Sequence, residues 1–483
     1  MGSEDFQPFP DTIVHTVYAK CDEDGYSDLT TNPFLNEEHT EQNNKFVNCT
    51  FTIVSENSLY ESDGTIHLIG FGSRLFKKLS WAIKVNKKFM GRKSMKFRAM
   101  ASDATLIREK LATGLYKAVG VPVQEGAYAR LFINGDAYGL YQIMDSFSKR
   151  WLGSYIHGDP KKDIGISYKL YAHIPRYADF RYISDQYTDY SLFYMPDEYE
   201  DKDIDVNNEA SKYTRIIDFI KRFNDWANSS EQSLDELKKF FNIECTLRLM
   251  VIDTLTLALD NFWLRFSNAA VYYNPDRDNY VILPYDFDKV LIGGDIDPML
   301  DQDTYMSDCY TWATQHEEKI DHFFTNTLLN HPDIKKRYDV ILAKATNELF
   351  TTDIISDYVN AVADIIRDDI QFNTDCSYSL NIPYEGQLNH YTYEQFESNI
   401  NDGHIPFVEG VTENDSSFGI NELVNLRSAA CKAATSSVDT SNNKNISDDY
   451  DVKVYESSGV RSIITVKTAL LIIFIQFIYY ILF

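Results

Sequence analysis

Asp260, Asn261, Asn268, Asp286 and Asp288 are the side chains whose spacing best suits shared chemistry. They flank two β-branched and aromatic runs, Asn268 to Tyr273 and Tyr280 to Tyr285, separated by Asn274-Pro275-Asp276-Arg277-Asp278-Asn279. A spacer dense in turn formers between two such runs predicts a hairpin. Closing a hairpin brings the start of its first strand beside the end of its second, so Asp260 and Asn261 should meet Asp286 and Asp288. In an extended segment Asp286 and Asp288 point to the same side. Three carboxylates and one or two amides converging on a sheet edge are costly unless a cation neutralises them. Hard oxygen donors suit Mg²⁺, which keeps several waters and shares its shell with phosphates. The alternative is a surface hairpin whose acids are merely solvated, in a chain with 72 Asp and Glu. The apolar setting argues against it: Leu255, Leu257, Ala258 and Leu259 precede Asp260, and Val281 to Pro284 precede Asp286.

The cations that such a site needs are concentrated in one place. The chain carries a formal net charge of −26, which makes nucleic acid a poor partner, since phosphate neutralisation needs an excess of Lys and Arg. Yet residues 74–98 hold ten cations and no acid. Ser80 to Val85 and Ser94 to Arg98 alternate like strands, so Lys84, Lys96 and Arg98 should project from a sheet. Upstream, Gly70-Phe71-Gly72-Ser73 can let the backbone approach an anion closely, although a lone GxGS also suits an ordinary turn. Asp103 is a candidate N-cap for a helix over Ala104 to Val119, with Gly120 and Pro122 beyond its end and Glu109 within it. Gly turn, basic strands, helix Glu, then distant Asp and Asp-x-Asp is the order in which a protein kinase presents its working parts.

Several segments carry a family resemblance: Lys77-Lys78-Leu79-Ser80-Trp81-Ala82-Ile83-Lys84, Leu106 to Ala112, Gly120-Val121-Pro122, Leu131 to Tyr141, Leu259-Asp260-Asn261-Phe262-Trp263 and Pro284-Tyr285-Asp286-Phe287-Asp288. Together these resemble the CotH family of atypical, spore-coat-type protein kinases, over roughly residues 64 to 430. The runs ALDNFW and PYDFDKV are most similar to its fungal branch, cell-surface proteins of Mucorales-type moulds. The resemblance implies an α+β, atypical bilobal protein-kinase-like fold with a smaller β-rich N-lobe and a larger helical C-lobe. It also implies ATP as substrate, Mg²⁺ (or Mn²⁺) as cofactor and phosphate transfer to Ser or Thr of a protein. Carried over by position, Asp260 matches the catalytic Asp, Asp286 the metal-binding Asp, and Asp288 and Asn268 supporting ligands. Lys84 matches the phosphate-contacting Lys and Glu109 its helix partner. Lys96 and Arg98, on the strand directly before the helix, compete with Lys84 for that role, and Gly70 and Gly72 would line the phosphate loop. Fungal members are also implicated as adhesins that engage host-cell receptors, which gives a second expectation: an invasin on a kinase-like scaffold.

The tail speaks to location. Thr468 to Phe483 is uncharged and apolar, and a spacer from Val460 to Lys467 separates it from the small triplet Ser457-Ser458-Gly459. This is the layout of a GPI-attachment signal, with Ser457 as the attachment point. A single-span anchor is the alternative, although 16 residues are short for one. A displayed, lipid-anchored protein should be exported. The opening MGSEDFQPFP has no basic n-region or apolar h-region, so the start of the chain is expected to be truncated or wrongly assigned. Sequons at Asn48, Asn228, Asn414 and Asn445 permit glycosylation. Six Cys at scattered spacing show no zinc pattern and allow up to three disulfides, with Cys376 and Cys431 as one candidate pair.

At 44% hydrophobic and 14% aromatic, the chain can bury a large core. The expected organisation is a β/loop segment over 1–60, the N-lobe over 61–147, the C-lobe over 148–435, a flexible stalk over 436–459 and the anchor signal over 460–483. Helices are expected over Arg215 to Asn228, Leu234 to Leu259 and, by periodicity, within Pro332 to Ile370. The Tyr-rich stretch Tyr168 to Tyr199 reads as a packed loop or a carbohydrate-binding surface.

Overall fold

A computed structural model describes residues 6–173, 176–292, 306–314, 320–407 and 416–447. Ser457, Asn414 and the apolar tail from Thr468 lie outside the described residues. Among those described, no helix is long and apolar enough to cross a membrane.

Seven strands of alternating buried and outward residues roll into one closed barrel. They are β1 (Val14–Cys21), β2 (Val47–Ser55), β3 (Ser58–Leu68), β4 (Trp81–Phe89), β5 (Arg92–Arg98), β6 (Gly126–Ile133) and β7 (Asp136–Asp145). Their order is β1-β2-β3-β4-β5-β7-β6, antiparallel except where β1 pairs parallel with β6 to close the ring. Val17, Phe51, Ile53, Ile66, Trp81, Ile83, Met95, Phe97 and Leu131 fill the interior. Closure leaves no free sheet edge. The boundary expected at residue 60 falls inside β3, and β1 and β2 belong to the same barrel as the basic strands. Helix α1 (Glu23–Thr31) starts at Asp22, whose side chain accepts from the Gly25 amide.

A second antiparallel sheet has the order β11-β10-β8-β9, from β8 (Ile166–Leu170), β9 (Tyr194–Tyr199), β10 (Ala269–Asn274) and β11 (Asn279–Pro284). The last two form the expected hairpin, with Ala269 opposite Pro284 and Asn274 opposite Asn279. Helix α2 (Arg108–Ala118) and helices α3 (Thr214–Asn228), α4 (Leu234–Phe240), α5 (Ile243–Thr256), α6 (Pro332–Glu348), α7 (Thr352–Ser379) and α8 (Ile420–Ala434) share a large core with this sheet. The architecture is therefore mixed α+β with two hydrophobic cores, one inside the barrel and one among the helices. Helix α7 ties them together. Its Asn373 Oδ1 accepts from the Leu140 amide (3.0 Å) and Lys78 Nζ (2.9 Å), and its Asp369 pairs with Arg130 of β6.

Several expectations need correction. Helix α2 begins at Arg108 rather than Ala104, because Leu106 takes a positive φ of 55° and Asp103 is held by a buried ion pair to Arg108 (2.6 Å). The helix expected over Leu234 to Leu259 breaks at Phe241-Asn242, where the Asn242 amide donates to the Tyr280 carbonyl of β11. The disulfides are Cys21–Cys49 and Cys309–Cys431, not Cys376–Cys431; Cys245 and Cys376 are free and buried. The segment expected as a flexible stalk is docked at least as far as Ser447. Asn443 and Asn445 accept from Arg337 and Arg248, and the Ile446 amide donates to Glu244 (3.1 Å). In the Tyr-rich stretch, Tyr168, Tyr177, Tyr190 and Tyr194 are buried, whereas Tyr171 and Tyr182 are exposed.

Candidate active site at the junction of barrel and sheet

The end of β5, the first turn of α2 and the residues after β11 meet at one guanidinium. Arg98 is the last residue of β5, and its Nη2 is ion-paired to Asp286 Oδ1. The same nitrogen lies 3.4 Å from Asp288 Oδ2 and 3.9 Å from Glu109 Oε2. Glu109 is only 3% exposed and also accepts from the Phe287 amide (2.6 Å). One cation thus faces three acids from two separate elements. Positive φ at Asp286 (65°) bends the chain just after the strand, so that the Asp286 and Asp288 side chains both reach Arg98 while the Phe287 ring turns inward. That ring stacks on Tyr116 of α2 with centroids 4.6 Å apart.

Asp260 stands on the other side of the hairpin root. Asn268 Nδ2 donates to its backbone carbonyl (2.8 Å) and to its Oδ2 (3.3 Å), and Lys289 Nζ lies 3.9 Å from that oxygen. Asn261 is fully buried and bridges the two halves, its Nδ2 donating to the carbonyls of Tyr285 (3.2 Å) and Asp286 (3.0 Å). Its Oδ1 is buried with no hydrogen-bond partner among the described residues.

Charge is out of balance here, and the proton affinities reflect it. Burial pushes Glu109 up to about 7, with Asp286 and Asp288 adding to the shift and Arg98 opposing it. Asp288 rises to about 7 by burial and by repulsion from Asp286. Burial also works against ionised Asp286, but Arg98 and Lys96 outweigh it and hold that carboxyl below its usual range. Asp260 is raised by burial, partly offset by Lys289 and Arg265. Arg98 keeps its proton despite burial, because of the three acids. Lys96 falls to about 8, through burial and the nearby Lys169 and Arg98. Its Nζ lies over the Tyr285 ring, 5.9 Å from the centroid.

The sequence-predicted residues are not all brought together. Arg98, Glu109, Asp286 and Asp288 converge, with Lys96, Asp260 and Asn268 at the margin. Lys84 does not join them: it is exposed on the barrel wall, opposite Thr65 and Ser94. Gly70 and Gly72 do not either. Their loop is organised around buried Arg74, whose guanidinium donates to the carbonyls of Gly70, Pro33, Asn43 and Leu68. Asn48 and Asn228 are exposed, and Asn445 lends its Oδ1 to Arg248 and Arg337.

Three residues were missed. Asp253 of α5 is fully buried, accepts from the Tyr116 hydroxyl (2.5 Å) and the Trp263 amide (3.0 Å), and is pushed to about 7 by burial. A lone acid within the apolar run Leu249 to Leu255 was its signal. Lys169 of β8 and Asp197 of β9, paired at 2.9 Å beside Lys96, gave none.

Among the described residues no group of three or more His, Cys, Asp or Glu side chains forms a ready metal cage. Mg²⁺ is usually held by one or two carboxylates together with substrate phosphates. The hard oxygens of Asp286 and Asp288, with Asp288 raised to about 7 and Asn261 Oδ1 left without a partner among the described residues, are of the donor type such an ion takes.

The family model described as CotH kinase protein matches residues 66–402. Similar curated proteins come from Rhizopus delemar. Invasin CotH2 is 24% identical over 76% of this chain and 58% of its own length. Spore coat protein homolog 1 is 24% identical over 74% of this chain and 54% of its own length. Invasin CotH3 is 23% identical over 67% and 52%. The chain spans a little over half the length of these relatives.

Proposed function

The chain belongs to the CotH kinase protein family, and from that premise we propose that it is an atypical protein kinase working at the Arg98–Asp286 junction. The carrying observation is that one guanidinium is shared by Glu109, Asp286 and Asp288 next to the partly exposed Asp260. The junction lies where the β-rich barrel meets the helical part, and in this reading nucleotide is held between the two.

In this reading Asp286 and Asp288, with Asn268 in support, would hold Mg²⁺, which when bound would supply charge neutralisation for phosphoryl transfer. Arg98 and Lys96 supply further positive charge, Glu109 fixes Arg98, and the Tyr116–Phe287 stack fixes the turn. Asp260 accepts the proton of the acceptor hydroxyl as its oxygen bonds to the γ-phosphorus and the bond to ADP breaks. Burial makes Asp260 more basic than an ordinary Asp, which suits that task. The test is incubation with γ-labelled ATP and Mg²⁺ or Mn²⁺, with a Ser-rich protein as acceptor. Label transfer that vanishes in Asp286→Asn and Asp260→Asn is the expected result. No transfer and no nucleotide-induced thermal shift would remove the enzyme reading.

A second reading rests on the names of the relatives, two of which are called invasins. In it the chain is displayed at the cell surface through a lipid attached at Ser457, and its exposed loops engage a host-cell receptor. The two readings are compatible. Release of the protein from intact cells by a phosphatidylinositol-specific phospholipase would support display; retention after treatment would count against it.

A further inference from the structure

The basic run over residues 74–98 is divided between inside and outside. Arg74, Lys78 and Arg92 are buried and bound to carbonyls, Asn373 and Asp145, while Arg98 serves the acids. Lys84 and Lys93 are exposed instead. With Lys20 of β1 they line a groove of about 540 Å³ on the outer wall of the barrel. Strand register makes this groove: Asn48, Thr65 and Lys84 stand in one cross-strand row on β2, β3 and β4. Lys20, Thr50 and Asp63 form the adjacent row on β1, β2 and β3.

The two acids of the groove each accept a hydrogen bond from a neutral donor and keep their charge. Asp22 accepts from the Gly25 amide (2.8 Å) and Asp63 from the Thr50 hydroxyl (3.0 Å). Among the described residues, Lys20, Lys84 and Lys93 reach no carboxylate and no hydrogen-bond acceptor. In a chain of net charge −26, this cavity is net positive, with three lysines against Asp22 and Asp63. Each ammonium offers three donors. Between them Asn48, Thr65 and Asn86 add neutral donors and acceptors. Three ammonium groups against two carboxylates, with amides and hydroxyls between them, fit a ligand that carries spaced negative charges and many hydroxyls.

We propose that this groove binds an acidic oligosaccharide, its anionic groups on Lys20, Lys84 and Lys93 and its hydroxyls on Thr65 and Asn86. An acidic peptide matches the charge but leaves the amide and hydroxyl row unused. The groove is separate from the Arg98 acids, so the proposal stands or falls independently of phosphoryl transfer.

The test is a binding titration with a fluorescent heparin hexasaccharide and with an oligogalacturonate, at low and physiological salt. The protein is made in a bacterial periplasm, which leaves Asn48 unglycosylated. Saturable binding of either glycan is expected, weakening with salt. The preferred glycan tells whether sulfate or carboxylate is the natural anion. Lys84→Glu/Lys93→Glu should weaken binding about tenfold or more, since attraction becomes repulsion. Lys84→Gln/Lys93→Gln should fall between, and Lys202→Glu, on another exposed surface, should change nothing. All three sites are exposed, and matching melting curves would confirm the fold. The proposal is overturned if neither glycan saturates, if the reversed variant binds as wild type does, or if polyglutamate competes as well as the glycans.

Discussion

Replacing Arg98 by Met removes the cation but keeps an unbranched stem of similar reach, so the cost isolates charge. Two unit charges 3.9 Å apart at an effective dielectric of 20 attract by about 4 kcal/mol, and those 3.4 Å apart by about 5 kcal/mol. These values do not simply add. Asp286 and Asp288 are each 31% exposed and can turn toward water, so their share is screened. Glu109, at 3% exposure and hydrogen-bonded to the Phe287 amide, has nowhere to go. Its lost partner dominates where Glu109 is ionised, so at pH 9 Arg98→Met should destabilise the protein by about 3–5 kcal/mol, and by less near pH 7, where Glu109 can take up a proton.

The decisive arm is the rescue. Glu109→Gln keeps a carbonyl oxygen for the Phe287 amide and drops the charge. In the Arg98→Met background it should therefore restore most of the lost stability, whereas in wild type it should be mildly destabilising. Urea unfolding at pH 9 followed by tryptophan fluorescence measures all four proteins, and the double-mutant cycle gives the coupling. A coupling near zero would mean that Arg98 acts only by packing. The account of the junction as a charge-shared site would then be refuted.

Four further outcomes are expected. Asp286→Asn should lower phosphoryl transfer by about 10³-fold or more while leaving the fold intact, checked by initial rates beside a melting curve. His15 is buried with its pKa pulled down to about 4. The unfolded chain takes up that proton near pH 6.5, so the stability is present above pH 6.5 and is lost as pH falls toward 4. The loss should reach about 3 kcal/mol, and His15→Gln should flatten that slope in urea titrations at several pH values. Gly64→Ala should destabilise by about 1–3 kcal/mol, because its Cβ would meet the Lys84 carbonyl oxygen at 2.1 Å. Removing Cys309–Cys431, which closes a separation of 122 residues, should cost about 2–5 kcal/mol in the same unfolding assay.

The hairpin at Asn268 to Tyr285 was legible because its signals are local: β-branched runs, a turn-rich spacer and acids just outside each end. The structure has β10 and β11 within a residue or two of the expected limits. Helix α2 was legible only in part, since Asp103 looks like a cap in sequence yet is consumed by the buried pair with Arg108. Barrel closure depends on β1 meeting β6 across more than a hundred residues, and nothing in either strand announces that partner. The cysteine pairing failed for the same reason. Spacing cannot reveal that Cys21 and Cys49 stand opposite each other on β1 and β2.

The choice of cation shows where reading from sequence runs out. Alternation places Lys84, Lys96 and Arg98 all on the outer face of the barrel, but it does not say which stretch of that face another element covers. Register decides it. Lys96 sits opposite Ala82 and Lys84 opposite Ser94, so Arg98 lies furthest along β5 toward the chain that enters α2. Glu109 follows within the first turn of that helix, so it meets the end of β5 rather than the middle of β4. A phosphate-contacting cation must share a wall with its acidic partner. Arg98 and Lys96 meet that condition and Lys84 does not, although all three belong to one basic run. If phosphoryl transfer is measured, Lys84→Ala should therefore leave the rate near that of wild type, while Lys96→Ala should lower it. The reverse result would mean that the barrel wall, not the junction, holds the nucleotide.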